Sequence, residues 1–366
     1  MAKIKHGGRA YSLEWLRGIA ALVVLVWHFD IILMSNPPRP WSAYLSVDLF
    51  FILSGAVFCR AYEARLAAGW SFGRFAQARA LRIWPLYLVG TAIGVASALI
   101  TLVAVGAARW QYKGPLIDAA LAFFMVPQVW SVGPLYNFNP PAWSLLSEAI
   151  VNVAYGLIGF RLSSRTLVLV SAVSFTLIGY GALANAAIGA GLDFGAFSEH
   201  GWIGIARAFA SFPLGVVIYR MAIAGRLPRL RPPLTAVTLI YVCGIAERPT
   251  DPVINAIYAV VIVMLVWPIL MVAVVQIEPD EKHVPLARWV GRLSYPLYAI
   301  HWPCFMVALS LIAVTGWDRT MTLVAAGGVS LLLAVTVAQR ADAAIQGMVS
   351  RRLKLPRPAV TAAPPL

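Results

Sequence analysis

Stretches of about twenty consecutive apolar residues recur along the whole chain, and they constrain its fold more than any other feature. Inside a lipid bilayer no water reaches the backbone, so only helices or closed barrels can cross it. About 20 apolar residues make one helical span. The 366 residues are 60% hydrophobic and 12% charged, and the mean hydropathy is +0.78. The sequence therefore predicts an all-α polytopic membrane protein.

Ten apolar segments have the length and composition of membrane spans. They are residues 16–34, 43–60, 83–104, 142–160, 166–186, 203–222, 234–247, 253–275, 295–315 and 320–339. An eleventh segment, 116–130, is short and contains Asp118 and Pro127, so we interpret it as re-entrant or interfacial. The first span lacks a small-residue cleavage site, which indicates a retained helix and not a signal peptide. We predict one membrane domain over 1–345 and a basic, proline-rich, disordered tail over 346–366.

The distribution of lysine and arginine predicts that both termini are cytoplasmic. With ten spans, the segments on one side hold 22 of the 29 Lys and Arg residues and those on the other side hold five, and such an excess marks the cytoplasmic side. The formal charge of +14 lies in short clusters between apolar runs, so we expect membrane lipid and not nucleic acid as a partner.

The three cysteines are isolated in or beside apolar segments, and we predict neither a disulfide nor a metal site.

Three carboxylates, those of Asp30, Asp48 and Glu148, fall within predicted spans, where ionisable groups are costly and mark functional or paired positions. From the directions of the spans, we expect Asp48 and Glu148 to lie at the depth of His28, about six residues below the outer surface. A neighbouring carboxylate fixes the tautomer of a histidine and raises its basicity. We predict that His28 is a general base oriented by Asp48 or Glu148. The alternative is a histidine that only packs between helices.

Arginines predict an anion site at the other end of the first span. Arg17 and His28 are eleven positions apart, close to three helical turns, so both project from one face about 16 Å apart. Arg79 and Arg82 are three positions apart at the start of the third predicted span, and arginine pairs suit bidentate phosphate binding. The pattern predicts a phosphate-bearing ligand that enters from the cytoplasm and extends toward His28. Ordinary anchoring at the cytoplasmic surface is the alternative for these arginines.

Five sequence blocks resemble the acyltransferase-3 family of integral membrane acyltransferases, which modify surface polysaccharides, lipid-linked sugars and related acceptors. They are LRGIAALVVLVWHF at 16–29, SVDLFFILSG at 46–55, RALR at 79–82, PAWSLLSE at 141–148 and LSYPLYAIHWP at 293–303. The resemblance implies a ten-span fold, cytoplasmic acyl-CoA as co-substrate with no tightly bound cofactor, and acyl transfer to an acceptor at or beyond the outer face. It also implies functional roles for the matched histidine and arginines.

The matched blocks and the residues beside them supply further candidate residues. We expect Tyr295 and His301 to contribute to donor binding. A structural role is equally open for His301, because its position near the inner end of the ninth predicted span would keep it away from His28. The candidates for contact with the acceptor are Asn139, Trp143 and Ser144. Trp143 is alternatively a residue of the interfacial aromatic belt.

These features together predict a membrane-bound O-acyltransferase in a bacterial inner membrane. It would move an acyl group, acetyl in the simplest case, from cytoplasmic acyl-CoA to a hydroxyl of a carbohydrate or lipid-linked glycan. No serine or cysteine lies at the depth of His28 in a matching motif, which favours direct transfer over a covalent intermediate. The main alternative is a transporter or flippase for an anionic or glycan substrate, because buried charges also line transport paths. A scaffold with a decayed site is the third possibility.

Overall fold

Helices follow one another along the described part of the chain, as the apolar runs predict. A computed structural model describes residues 10–34, 41–105, 115–130 and 132–353, and these residues form no β-strand. The α-helices are α1 (Tyr11–Leu33), α2 (Ser46–Phe58), α3 (Ala64–Ala67), α4 (Phe72–Val105), α5 (Pro115–Phe123), α6 (Ala142–Leu157), α7 (Ser164–Ala184), α8 (Gly201–Ile223), α9 (Leu234–Ile245), α10 (Pro252–Val261), α11 (Trp267–Val274), α12 (Val284–Thr315) and α13 (Arg319–Leu353). Helix α13 extends into the segment predicted as a tail, and residues 354–366 lie outside the described residues.

Eight helical segments among the described residues are long and apolar enough to cross a membrane. They are Tyr11–Leu33, Ala43–Ala67, Phe72–Ala104, Ser164–Ala184, Ser198–Ile223, Pro252–Val274, Glu281–Thr315 and Arg319–Arg340. The two other predicted spans, 142–160 and 234–247, correspond to α6 and α9, which have 16 and 12 residues. The chain is an all-α polytopic membrane protein. The total of ten spans and the cytoplasmic position of both termini stay predictions.

Helices α4 and α12 begin well before the spans predicted for them. The third span is predicted from residue 83, whereas α4 begins at Phe72, and the ninth is predicted from residue 295, whereas α12 begins at Val284. The added turns carry arginines, which are good helix formers and can extend along a helix to keep the charged group in a polar environment. Arg79 therefore lies in the third turn of α4, and His301 lies near the middle of α12.

Helix α12 is central to the bundle, because it packs along α1, α4 and α13, while α2 packs along α8. The α2–α8 contact depends on glycine. A Cβ atom added to Gly55 would lie 2.0 Å from the Phe212 carbonyl oxygen, and one added to Gly215 would lie 1.9 Å from the Ile52 carbonyl oxygen. Small residues at helix contacts let transmembrane helices approach closely. These two glycines thus set the separation of α2 and α8.

Gly215→Leu is expected to destabilise the protein, because the new side chain must push α8 away from the α2 backbone. Overpacked positions usually cost about 1–3 kcal/mol, so the melting temperature in detergent should fall. Gly179→Leu on α7 is the matched control, because nothing lies within 4 Å of a Cβ added at Gly179. That variant should melt at or above the wild-type temperature, since leucine is the better helix former. Equal melting temperatures for the two variants would contradict the close contact.

The segment before α6 enters the bundle. Asn139 donates from Nδ2 to the Ala299 carbonyl of α12 at 3.1 Å, and a Cβ added to Gly94 of α4 would lie 2.2 Å from the Phe138 carbonyl oxygen. Helix α6 therefore begins beside the middle of α12 and not at the outer end of the bundle. Every residue of α6, Glu148 included, consequently lies deeper than a span starting at the membrane surface would place it.

Residues 115–130 form the short helix α5 and a turn. The turn contains Met125, whose φ of 58° is left-handed, and tyrosines hold it in place: Tyr87 donates to the Ala122 carbonyl and Tyr136 to the Met125 carbonyl. The nine residues of α5 cover about 14 Å, which is less than half the hydrocarbon thickness. The helix cannot cross the membrane by itself, and its re-entrant or interfacial position stays a prediction.

Candidate active site

A cavity of about 100 Å³ lies between α1, α2, α4, α6 and α12. It contains the three arginines that the sequence singles out, Arg17 near the start of α1 and Arg79 and Arg82 on α4. The other polar residues that line it are Ser54, Ser144, Glu148, Ser294, Tyr295 and Tyr298. The cavity carries a net positive charge, because three guanidinium groups and only one carboxylate line it. Such a cavity attracts anions.

Glu148 is bound by the cavity wall. Its Oε1 accepts hydrogen bonds from Arg79 Nη2 at 2.8 Å and from Ser54 Oγ at 2.5 Å. This contrasts with the prediction that Glu148 orients His28. The physical reason is the deep start of α6, which brings Glu148 to the level of Arg79. Glu148 therefore fixes the position of one arginine of the cavity.

Arg17 and Arg82 retain hydrogen-bonding capacity toward the cavity. Arg17 Nε is buried and has no hydrogen-bond partner among the described residues, and the Arg82 side chain is exposed at the cavity. Guanidinium groups bind phosphate oxygens through several N–H donors at once. The arrangement can thus hold an anion between Arg17 and Arg82, while Arg79 is shared with Glu148.

Two tyrosines of α12 line the cavity. Tyr295 donates its hydroxyl to the Ile83 carbonyl of α4. The hydroxyl oxygen of Tyr298 is 2.6 Å from Ser144 Oγ, and its ring packs edge-on against Phe50 with centroids 5.8 Å apart. The Tyr298 ring also packs against the ring of His301, with centroids 5.8 Å apart. Tyr298 therefore borders both the arginine cavity and the histidines beyond it.

His28 and His301 form a hydrogen-bonded pair. Nδ1 of His28 and Nε2 of His301 are 2.9 Å apart, so the prediction that His301 cannot meet His28 is wrong. The early start of α12 explains the error, because it raises His301 to the middle of the helix. The His28 ring also packs against Trp27 and Trp302, with centroid distances of 5.0 and 5.1 Å.

Asp48 is bound by Arg207, in contrast to the prediction that it partners His28. Arg207 donates from Nη2 to Asp48 Oδ2 at 2.6 Å and from Nε to Oδ1 at 3.0 Å. The side chain of Asp48 is 0% exposed and that of Arg207 is 1% exposed. Arg207 Nη1 also donates to the carbonyls of Leu192 and Phe194, each at 2.8 Å. This ion pair ties α2 to α8 and to the loop that precedes α8.

Arg207 is absent from the predicted site residues, although the sequence contains a signal for it. It is an arginine in the middle of an apolar run, and a charge within a span usually has an oppositely charged partner. Asp48, a carboxylate within another span, meets that requirement. The two buried charges of opposite sign therefore predict the contact between Arg207 and Asp48.

The three residues predicted to contact the acceptor have structural contacts. Asn139 binds the Ala299 carbonyl, Ser144 binds Tyr298, and the Trp143 ring lies 5.2 Å from the Arg207 guanidinium. Trp143 is 8% exposed and packs inside the protein, unlike a residue of the lipid-facing belt. Contact of these residues with an acceptor stays a prediction.

The described residues form a helical membrane bundle with an anion-attracting cavity and a histidine pair beyond it, which defines a polytopic membrane protein with a candidate anion-binding site. A family model described as an acyltransferase domain matches residues 10–339. The chain belongs to the acyltransferase-3 family, which confirms the resemblance of its five sequence blocks. It is therefore a membrane acyltransferase in general terms. The alternative of a transporter or flippase has no such support.

Two curated bacterial proteins are similar to the chain. "Protein 2 in picA locus" of Rhizobium radiobacter is 34% identical over 181 residues, which cover 46% of this chain and 93% of that protein. "Putative membrane-bound transacylase BcsY" of Komagataeibacter xylinus is 23% identical over 332 residues, which cover 83% of this chain and 75% of that protein. No solved structure matches the chain.

Proposed function

We propose that the protein transfers a short acyl group, acetyl in the simplest case, from acyl-CoA to a hydroxyl of a carbohydrate or lipid-linked glycan across a bacterial inner membrane. The observation that carries the proposal is the position of Tyr298, which borders the arginine cavity and contacts His301 of the histidine pair. One donor molecule can therefore have its phosphates at the arginines and its thioester near His28. The name of the BcsY relative, a transacylase, supports acyl transfer.

The arginine cavity suits the charged part of acyl-CoA. Coenzyme A carries phosphate groups, and Arg17 and Arg82 provide donors for them. A volume of about 100 Å³ is below the roughly 300–1,000 Å³ of sites for drug-sized ligands. The cavity therefore takes a phosphate or a section of the pantetheine arm, and the nucleotide stays at the membrane surface.

His28 is the proposed general base. Along α1 it lies about 16 Å from Arg17, a separation that an extended pantetheine arm covers. A histidine within hydrogen-bonding distance of an acceptor hydroxyl can take its proton as the oxygen attacks the thioester. Arg17, Arg79, Arg82 and Tyr295 then serve the donor. A glycan acceptor follows from the family resemblance.

The test of this function is label transfer in membrane vesicles that contain the protein and acetyl-CoA labelled in its acetyl group. Label should enter a glycan or glycolipid fraction and be released by mild base, as expected of an ester. Vesicles without the protein provide the background. Movement of a glycan across the membrane without consumption of acetyl-CoA would contradict the proposal and favour a transporter.

Arg82→Ala should weaken the use of the donor. Losing a hydrogen bond to a charged group costs about 1.5–3 kcal/mol, so we expect the KM for acetyl-CoA to rise about tenfold or more with kcat little changed. Arg74→Ala is the matched control, since Arg74 is an exposed arginine of the same helix that does not line the cavity. Equal KM values for the two variants would reject phosphate binding at Arg82.

A further inference from the structure

The hydrogen bonds of His301 determine how the two histidines share their protons. Nδ1 of His301 is 2.9 Å from the carbonyl oxygen of Leu297, four residues earlier on α12. A carbonyl oxygen only accepts hydrogen bonds, so Nδ1 of His301 must carry a hydrogen. His301 is 1% exposed, and burial disfavours a charged ring. In the neutral ring the other nitrogen, Nε2, is therefore an acceptor.

The second hydrogen bond then fixes the tautomer of His28. Nε2 of His301 faces Nδ1 of His28 at 2.9 Å. Because His301 accepts in this bond, Nδ1 of His28 must donate. In a neutral imidazole only one nitrogen carries hydrogen, so Nε2 of His28 is the basic nitrogen. A backbone carbonyl of α12 thus selects, through His301, which nitrogen of His28 can take a proton.

The packing around the pair holds both rings in this arrangement. His28 has Trp27 on one side and Trp302 on another, with interplanar angles of 61° and 87°. His301 packs against Tyr298 and Phe305, with centroid distances of 5.8 and 6.5 Å. Rings enclosed by aromatic neighbours lose rotational freedom, and a fixed orientation is what a general base requires.

We propose that His301 is a positioning residue that keeps Nε2 of His28 unprotonated and directed at the acceptor, in place of the carboxylate expected from the sequence. The proposal rests on the proposed function. In the reaction, Nε2 of His28 takes the hydroxyl proton while the acceptor oxygen bonds to the thioester carbonyl carbon. The carbon–sulfur bond then breaks and the CoA sulfur takes that proton from Nε2. The products are an ester and free CoA thiol, and His28 regains its initial form.

Two substitutions separate this role from simple packing. His301→Phe keeps a buried ring but has no hydrogen-bond acceptor, whereas His301→Gln has no ring but can place an amide oxygen where Nε2 lies. Over a range of labelled acetyl-CoA concentrations up to saturation, we expect His301→Phe to reduce kcat about a hundredfold while the KM for acetyl-CoA stays within about threefold. His301→Gln should be at least about tenfold more active than His301→Phe, because the amide oxygen accepts from Nδ1 of His28.

Each other outcome contradicts the assignment. Activity of His301→Phe equal to or above that of His301→Gln would show that the ring matters for packing. A loss expressed in KM, or a melting temperature in detergent below that of the wild-type protein, would show a role in donor binding or folding. Wild-type protein that transfers no label would overturn the proposed function itself and this assignment with it. If the wild-type protein transfers label but His301→Phe and His301→Gln are equally active, only the positioning role is overturned.

Discussion

His28→Ala is expected to reduce acyl transfer by about 10²- to 10⁴-fold, the range that a positioned general base contributes. The loss should appear in kcat, because His28 lies beyond Tyr298 and outside the cavity in which the arginines would hold the donor. Transfer of labelled acetyl groups in membrane vesicles, measured over a range of acetyl-CoA concentrations, separates kcat from KM.

The matched control for that substitution is His283→Ala, because the His283 side chain is 56% exposed and lies just before α12, about 27 Å along the helix from His301. Its activity should equal that of the wild-type protein. Undiminished transfer by His28→Ala would remove His28 from the mechanism. A rise in KM with unchanged kcat would make it a donor-binding residue.

Asp48→Leu and Arg207→Met should each destabilise the protein by about 3–5 kcal/mol, the usual cost of leaving one charge of a buried pair without its partner. The pair is almost completely inaccessible to solvent, and it joins α2, α8 and the loop before α8. The free energy of unfolding can be measured by titration with a denaturing detergent. The double variant should lose much less than the sum of the single losses, because no unpaired charge remains.

Arg161→Met is the matched control for the ion pair. Arg161 is exposed and lies over the Phe160 ring, with 4.9 Å between the guanidinium carbon and the ring centroid. Exposed substitutions usually change stability by no more than about 0.5 kcal/mol. Additive losses in the double variant, or a loss at Arg161 as large as at Arg207, would contradict the structural importance assigned to the Asp48–Arg207 pair.

The features that could be predicted from the sequence are those set by local periodicity. Length and hydropathy are enough to predict helical spans, and the three-residue spacing of Arg79 and Arg82 is enough to put them on one helix face. Their convergence with Arg17 on one cavity follows from the shared level of the helix ends. The spans and the spacing of Arg79 and Arg82 depend on neighbouring residues within one helix, which is why a single sequence contains them.

Contacts between helices could not be predicted in the same way, because depth depends on where each helix begins. Counting residues from the expected membrane surface places His301 too far from His28, and it does not predict the contact of Glu148 with Arg79. Both results come from helix starts: α12 begins early, and α6 begins inside the bundle. The partner of Asp48 is also a long-range choice, since Arg207 is 159 residues away along the chain.

The contact between Tyr298 and Ser144 bears on the electrical behaviour of the membrane. Both side chains line the cavity and contact each other, so on the proposed route the phosphates stay with the arginines and only the thioester end passes Tyr298. A unit charge that crosses a membrane does work of about 2.3 kcal/mol per 100 mV. On that route the acyl group moves from sulfur to oxygen while a proton moves from oxygen to sulfur, so the exchange carries no net charge. Acylation by the proposed route would therefore neither consume nor dissipate the transmembrane voltage.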